Sequence, residues 1–155
     1  MRSQQFAFLS HCDADAATVM SVLDDVDGWV RWVRPLALRA RWDTWGQSAP
    51  AGAGAIRKLG AWPVWIKELI LSRDARGHTY TVISPAVFTS YLGQVTVTNS
   101  DLGGVDIKWS VEFIPRYAVM APVARVVLEA AISRLLGRLV VAAQQSEAHA
   151  GRGFG

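Results

Sequence analysis

Between Tyr80 and Ile114 apolar and polar residues alternate with a period of two, and from about Val119 to Gln144 the apolar ones recur at helical spacing. Within the last alternating run, Val105, Ile107, Trp109, Val111 and Phe113 fall on one side, with Asp106, Lys108, Ser110 and Glu112 on the other. The run before it sets Tyr91, Gly93, Val95 and Val97 against Gln94, Thr96 and Thr98, and an earlier one sets Tyr80 and Val82 against Thr79 and Thr81. One dry and one wet side is the pattern of an antiparallel sheet covered on a single face. In the helical run Leu128, Ile132, Leu135 and Leu139 follow a 4-3-4 spacing, which predicts the stripe that meets that sheet. A helix this long in a small domain needs a large sheet to lie across.

The rest of the chain fits around these elements. Gln5 to Ser10 reads as a first strand with Phe6 and Phe8 on one face. Asp13 or Asp15 can cap a helix carrying Val19, Val22, Leu23 and Val26, which Gly28 ends. Trp29 to Val33 adds a short turn that Pro35 stops. Leu36 to Trp45 alternates in part, with Leu38, Ala40 and Trp42 opposed to Arg39, Arg41 and Asp43. Ala55 to Leu59 and Trp65 to Leu71 are strand-like, joined by Gly60-Ala61-Trp62-Pro63, and Asp74 to Gly77 makes a hairpin turn. Pro85 to Thr89 interrupts the pattern, Asp101 to Gly104 turns, and Pro115 closes the last strand. The order predicts an α+β fold: a curved antiparallel sheet of about seven strands wrapped round a long C-terminal helix, with one or two short helices after strand 1. Residues 1–147 read as one domain and 148–155 as a flexible tail.

Composition sharpens this in three ways. Half of the residues are hydrophobic and seven are Trp, which suits a lined cavity or an aromatic rim as well as a core. The net charge of +3 is modest. The stretch Arg31, Arg34, Arg39, Arg41 is preceded by Asp13, Asp15, Asp24, Asp25 and Asp27, which speaks against nucleic-acid binding. The single cysteine, Cys12, excludes an internal disulfide and fits a reducing, cytoplasmic setting. Phe6 to Leu9 is too short an apolar stretch for a signal peptide. Arg125, Glu129, Arg134 and Arg138 interrupt the last helix, so no membrane-spanning segment is expected.

Several local marks, in this order, resemble the helix-grip superfamily, also called START-like or SRPBCC. They are Trp29-Val30-Arg31-Trp32 before Pro35, the glycine-led strand Gly52-Ala53-Gly54-Ala55-Ile56-Arg57, and Glu68 and Ile70 followed by Tyr80. Gly103-Gly104-Val105 leads to Trp109, with Gly104 where the family often has Thr. The resemblance covers roughly Gln5 to Ala143. The superfamily includes birch-pollen-type allergens, plant abscisic-acid receptors, aromatic polyketide cyclases and lipid-transfer domains. It implies a ligand cavity between sheet and helix, with Arg57, Leu59, Tyr91, Val95, Trp109 and Val111 on the sheet side and Leu128, Ile132 and Leu135 on the helix side. Gly60-Ala61-Trp62-Pro63 sits where the hormone receptors carry a Gly-x-Pro gate, with Trp62 as a plug. Ser84 to Phe88 takes the second gate position, where the receptors' His-Arg-Leu signature is absent.

Arg57 shares its parity with Ala55 and Leu59, so its guanidinium can meet a ligand oxygen, pair with Glu68 on the next strand, or point to solvent. Both faces are amphipathic around Glu68, and parity leaves its side open. Tyr80 and Tyr91 can offer hydroxyls, though buried tyrosines usually serve the structure. His11, His78 and His149 read as a strand end, a turn and a tail, which leaves no histidine in the cleft and no metal-ligand spacing. No nucleophile elbow or dinucleotide loop is present, and neither metal nor cofactor is expected. The residues thus leave three functions open. One is a carrier or sensor of a hydrophobic small molecule, such as a lipid, isoprenoid or polyketide. Another is a cyclase or dehydratase using Arg57, Glu68 and Tyr91. The last is a docking module or homodimer using Val126, Val127, Val140 and Val141.

Overall fold

The computed structural model describes residues 3–34, 39–46, 52–61 and 64–152. Seven antiparallel strands, β1 (Gln4–Cys12), β2 (Arg39–Thr44), β3 (Ile56–Ala61), β4 (Val64–Asp74), β5 (Gly77–Ser84), β6 (Phe88–Asn99) and β7 (Val105–Pro115), form one sheet. Its spatial order is β1-β7-β6-β5-β4-β3-β2, a meander from β2 to β7 with β1 returning beside β7. The alternation maps onto it directly: in β7 Val105, Ile107, Trp109, Val111 and Phe113 are all buried. Two register rows cross the inner face. Ile70, Tyr80, Gly93, Val111 and Phe6 form one, and His78, Val95, Trp109 and Phe8 the other.

After β1, Asp15 accepts a hydrogen bond from the Thr18 amide and starts α1 (Ala16–Asp24). A 3-10 turn, Val26–Gly28, and the four-residue α2 (Val30–Val33) follow. Two tryptophans satisfy carbonyls that the end of α1 leaves without helical partners. Trp29 Nε1 donates to Val22 and Leu23 O at 3.2 and 3.1 Å, and Trp42 Nε1 donates to Asp24 O at 2.9 Å.

The long helix α3 (Ala121–Arg152) runs past Ala148, where the sequence suggested a tail. It packs on β1 and β7 and against α1 and α2. Its buried stripe is Ile132, Leu136, Leu139 and Ala143, again 4-3-4. Leu128 and Leu135 flank that stripe half-buried, so Leu136 takes the central place that the sequence assigned to Leu135. Polar ties fix α3 along its length. Arg125 donates to Gln4 Oε1 at 3.0 Å and Gln5 O at 3.1 Å, and Arg138 to the Arg34 carbonyl. Gln144 and Glu147 accept from the amides of Asp13 and Asp15 at 3.0 and 2.9 Å.

Val126, Val127 and Val141 lie on the outer side of α3 and are exposed, whereas Val140 is half-buried against the core. No described helix is long and apolar enough to cross a membrane.

Candidate functional site

Strand pleating carries three polar side chains into the interior. Arg57 and Glu68 are register partners on β3 and β4, and both point inward, which settles what parity left open. They are only 2% and 6% exposed. Arg57 Nε donates to Glu68 Oε1 at 3.1 Å, with a second, longer contact from Nη2 to Oε2 at 3.5 Å. Arg57 Nη1 lies 3.2 Å from His78 Nε2, and His78 is itself 6% exposed. A guanidinium can only donate, so His78 Nε2 accepts and the imidazole is neutral, with its proton on Nδ1. Burial, then the Arg57 charge, holds the His78 pKa well below the ordinary histidine value, in agreement with that tautomer.

Aromatic rings close the network. The guanidinium carbon of Arg57 lies 4.8 Å from the Trp29 ring and 4.5 Å from the Tyr80 ring, cation–π contacts on two sides. Tyr80 Oη accepts from Trp109 Nε1 at 2.9 Å. Tyr91 stacks obliquely on Tyr80, with ring centroids 5.9 Å apart, and Phe88 packs on Tyr91 at 5.0 Å. Burial, with the Glu68 carboxylate adding to it, pushes Tyr80 up to about 12. Tyr91 is raised well above the phenol range, first by burial and then by its Tyr80 neighbour. Both phenols therefore stay neutral. Gly93 makes the arrangement fit, because a Cβ there would sit 2.2 Å from Tyr80 Cζ.

Of the residues singled out from the sequence, Arg57, Glu68, Tyr80, Tyr91, Val95, Trp109 and Val111 line the buried inner face, and Ile132 is buried on α3. Leu59 and Phe88 on the strands, and Leu128 and Leu135 on the helix, are half-buried against that core. Val82 joins them, and the inward-facing Ile66 is 38% exposed. Trp62 lies outside the described residues, as do Leu36 to Leu38 at the expected start of the second strand.

Two residues of the network escaped the sequence reading. The sequence pattern puts His78 in a turn; it is the second residue of β5 and buried, so the interior does contain a histidine. Its parity with Tyr80 and Val82 was the signal available. The sequence places Trp29 in a short turn and in the aromatic mark before Pro35, and nothing local points its ring at Arg57. No group of His, Cys, Asp and Glu among the described residues could hold a metal ion.

A separate surface cleft of about 690 Å³ lies between α1 and the β4–β5 turn, and its lining includes Met20, Asp24, Arg73 and Arg76. Arg73 and Asp24 pair across it at 2.5 Å, and none of its lining residues belongs to the interior network.

A seven-stranded sheet gripping a long C-terminal helix over a buried polar and aromatic interior defines a START-like, SRPBCC-type protein. Residues 8–144 match the family model described as polyketide cyclase / dehydrase and lipid transport. The chain belongs to that family.

Solved structures share the fold at low identity. A START superfamily protein from Mycobacterium smegmatis aligns with TM-score 0.74 and 10% identity, over 91% of this chain and 97% of its own. The di-domain ARO/CYC StfQ from the steffimycin biosynthetic pathway aligns with TM-score 0.73 and 14% identity, over 96% of this chain and 52% of its own. Ara h 8.0201 aligns with TM-score 0.64 and 16% identity, over 90% and 99%. A search of curated protein sequences returns no match.

Proposed function

We propose that this protein binds a hydrophobic small molecule, of lipid, isoprenoid or polyketide type, between the inner face of the sheet and α3. One observation carries the reading. The apolar residues Leu59, Ile66, Val82 and Phe88 face inward on β3 to β6 yet remain partly accessible, above an interior whose buried side-chain polar atoms are all partnered among the described residues. The main packing of α3 is on β1 and β7, so the β3–β5 side of the inner face is where an apolar guest has access. Leu128 and Leu135 form the helix flank of that site. Covering such surface contributes about 25 cal/mol per Å², and the Arg57–Tyr80–Tyr91 group orients the guest. The free, buried Cys12 fits a cytoplasmic carrier.

Native mass spectrometry of freshly purified protein tests this directly. A co-purified apolar mass is expected, together with a thermal shift when long-chain alcohols, quinones or polyketide mimics are added at saturation. A bare protein whose melting temperature none of these ligands moves would contradict the reading.

A cyclase-type activity is the second reading. It is favoured by the convergence of a guanidinium and two phenols, and by the family description and the ARO/CYC neighbour. Stabilising an enolate needs such donors. The acceptor nitrogen of His78 is committed to Arg57, however, so proton abstraction there would first have to break that bond. Turnover of a poly-β-ketone mimic that falls at least about tenfold in Tyr91→Phe, with its binding unchanged, would favour catalysis over carriage.

A further inference from the structure

The charges of the interior narrow the guest further, on the premise that the interior is the binding site. Arg57 is the one cation among the buried side chains described, and Glu68 the one anion. The two are paired through two contacts. His78 is neutral by its hydrogen bond, because its Nε2 accepts from Arg57. The hydroxyls of Tyr80 and Tyr91 are phenols. The polar wall thus offers donors without a net charge. Three of the five guanidinium N–H bonds are engaged, by Glu68 and His78, and two remain.

From this we infer that the site selects ligands with a neutral polar group, a ketone, ester or hydroxyl, and discriminates against carboxylates and phosphates. A neutral carbonyl reaching the wall gains a donor and leaves the Arg57–Glu68 pair intact. A carboxylate reaching the same place gives up its hydration next to a guanidinium already neutralised by Glu68 and sets two anions against one cation. The arrangement that makes Arg57 look like an anion hook in the sequence therefore works the other way. Glu68 is the switch: if it is made neutral, Arg57 becomes a free cation and the preference turns toward acids.

Matched ligand pairs test this in the wild-type protein. Naphthyl methyl ketone is compared with naphthoate, and lauryl alcohol with laurate, by competition and by tryptophan fluorescence. At about pH 8 the neutral member of each pair is expected to bind at least about tenfold tighter. That ratio should shrink toward about pH 5 as the acids protonate, while the affinity of the neutral ligands stays flat. In Glu68→Gln, naphthoate and laurate are expected to gain about tenfold over their neutral partners. The pH series needs no variant, so it decides the matter even where Glu68→Gln fails to fold. Acids binding as tightly as the neutral ligands at about pH 8 would overturn this inference and leave the binding site standing. If no member of either pair binds, the binding reading falls and the selectivity with it.

Discussion

Arg57 and Glu68 are an ion pair that neither residue could hold inside alone. Removing one partner strands a buried charge, so Arg57→Met or Glu68→Gln is expected to cost about 3–5 kcal/mol in urea unfolding. The double variant Arg57→Met/Glu68→Leu replaces the pair with apolar bulk and should recover most of that loss, short of the hydrogen bond that His78 gives up with Arg57. If the double variant is as unstable as the worse single, the pair is not acting as a unit. His78 adds a pH signature. Its folded pKa lies well below the ordinary histidine value, so below about pH 6.5 the unfolded chain takes up a proton that the folded chain refuses. Stability should therefore fall as pH drops from about 6.5 toward the folded value, by up to about 1.4 kcal/mol per pH unit. His11 works with the opposite sign. Its hydrogen bonds to Asp106 and then Asp13 raise its pKa, so its contribution is present at low pH and lost as pH rises through that raised value. Denaturation of wild type, His78→Gln and His11→Gln across this range separates the two. Only His78→Gln is expected to flatten the acid-side decline, and an unchanged decline would contradict the assignment. The inward face of Glu68 was not legible in the sequence because β4 carries apolar residues on both sides, Trp65, Leu69 and Leu71 opposite Ile66 and Ile70. Burial of an ion pair depends on the partner strand, which local alternation does not report.

At the level of elements, β5 to β7 were legible because each pairs a dry face with a wet one, whereas the ends were not. Near its C-terminal end α3 is held by ties from Gln144 and Glu147 to the chain around Asp13 and Asp15, contacts across more than a hundred residues that a local pattern does not report. The offset of its stripe has a related cause. Ile132, Leu136, Leu139 and Ala143 fit the helical period as well as Leu128, Ile132, Leu135 and Leu139 do, and only the position of β1 and α1 decides between them. A glycine on the dry face of β6 was a cue that something must approach closely there, and that something is the Tyr80 ring. Gly93→Ala should displace the ring, break the Trp109–Tyr80 hydrogen bond and cost about 1–3 kcal/mol. Combined with Tyr80→Ala, the same change should add almost nothing, and additive costs in the four-way cycle would argue against the contact. Along α3, Val123, Val126 and Val127 are exposed while Ile132, Leu136 and Leu139 are buried. Amide exchange is accordingly expected to be fast from Val119 to Ala124, ahead of the Arg125 tie, and slow from Ile132 to Ala143. Uniform protection along α3 in a monomer would contradict this.

For the molecule as a whole, the sheet order divides the grip into a closed and an open side. On the closed side β1 and β7 carry α3, and Arg125, Arg138, Gln144 and Glu147 fasten it there. Facing the other way, Leu59, Ile66 and Val82 keep the inner surface of β3 to β5 partly open. A helix tied at both ends is a poor moving part, so a guest should enter beside the strands with α3 held in place as a fixed wall. Ligand binding to the folded state alone stabilises it by about 2.7 kcal/mol at a hundredfold excess over Kd. That gain should be distributed unevenly. With lauryl alcohol bound, amide protection is expected to rise in β3 to β6 and around Leu128 to Leu135. The Cys12–Gln144 end, already fastened, should change little. Protection that rises chiefly at that end, or in the surface cleft by Arg73 and Asp24, would move the site out of the grip. A footprint confined to the open side would tie binding to Leu59, Ile66 and Val82 on the inner face of β3 to β5.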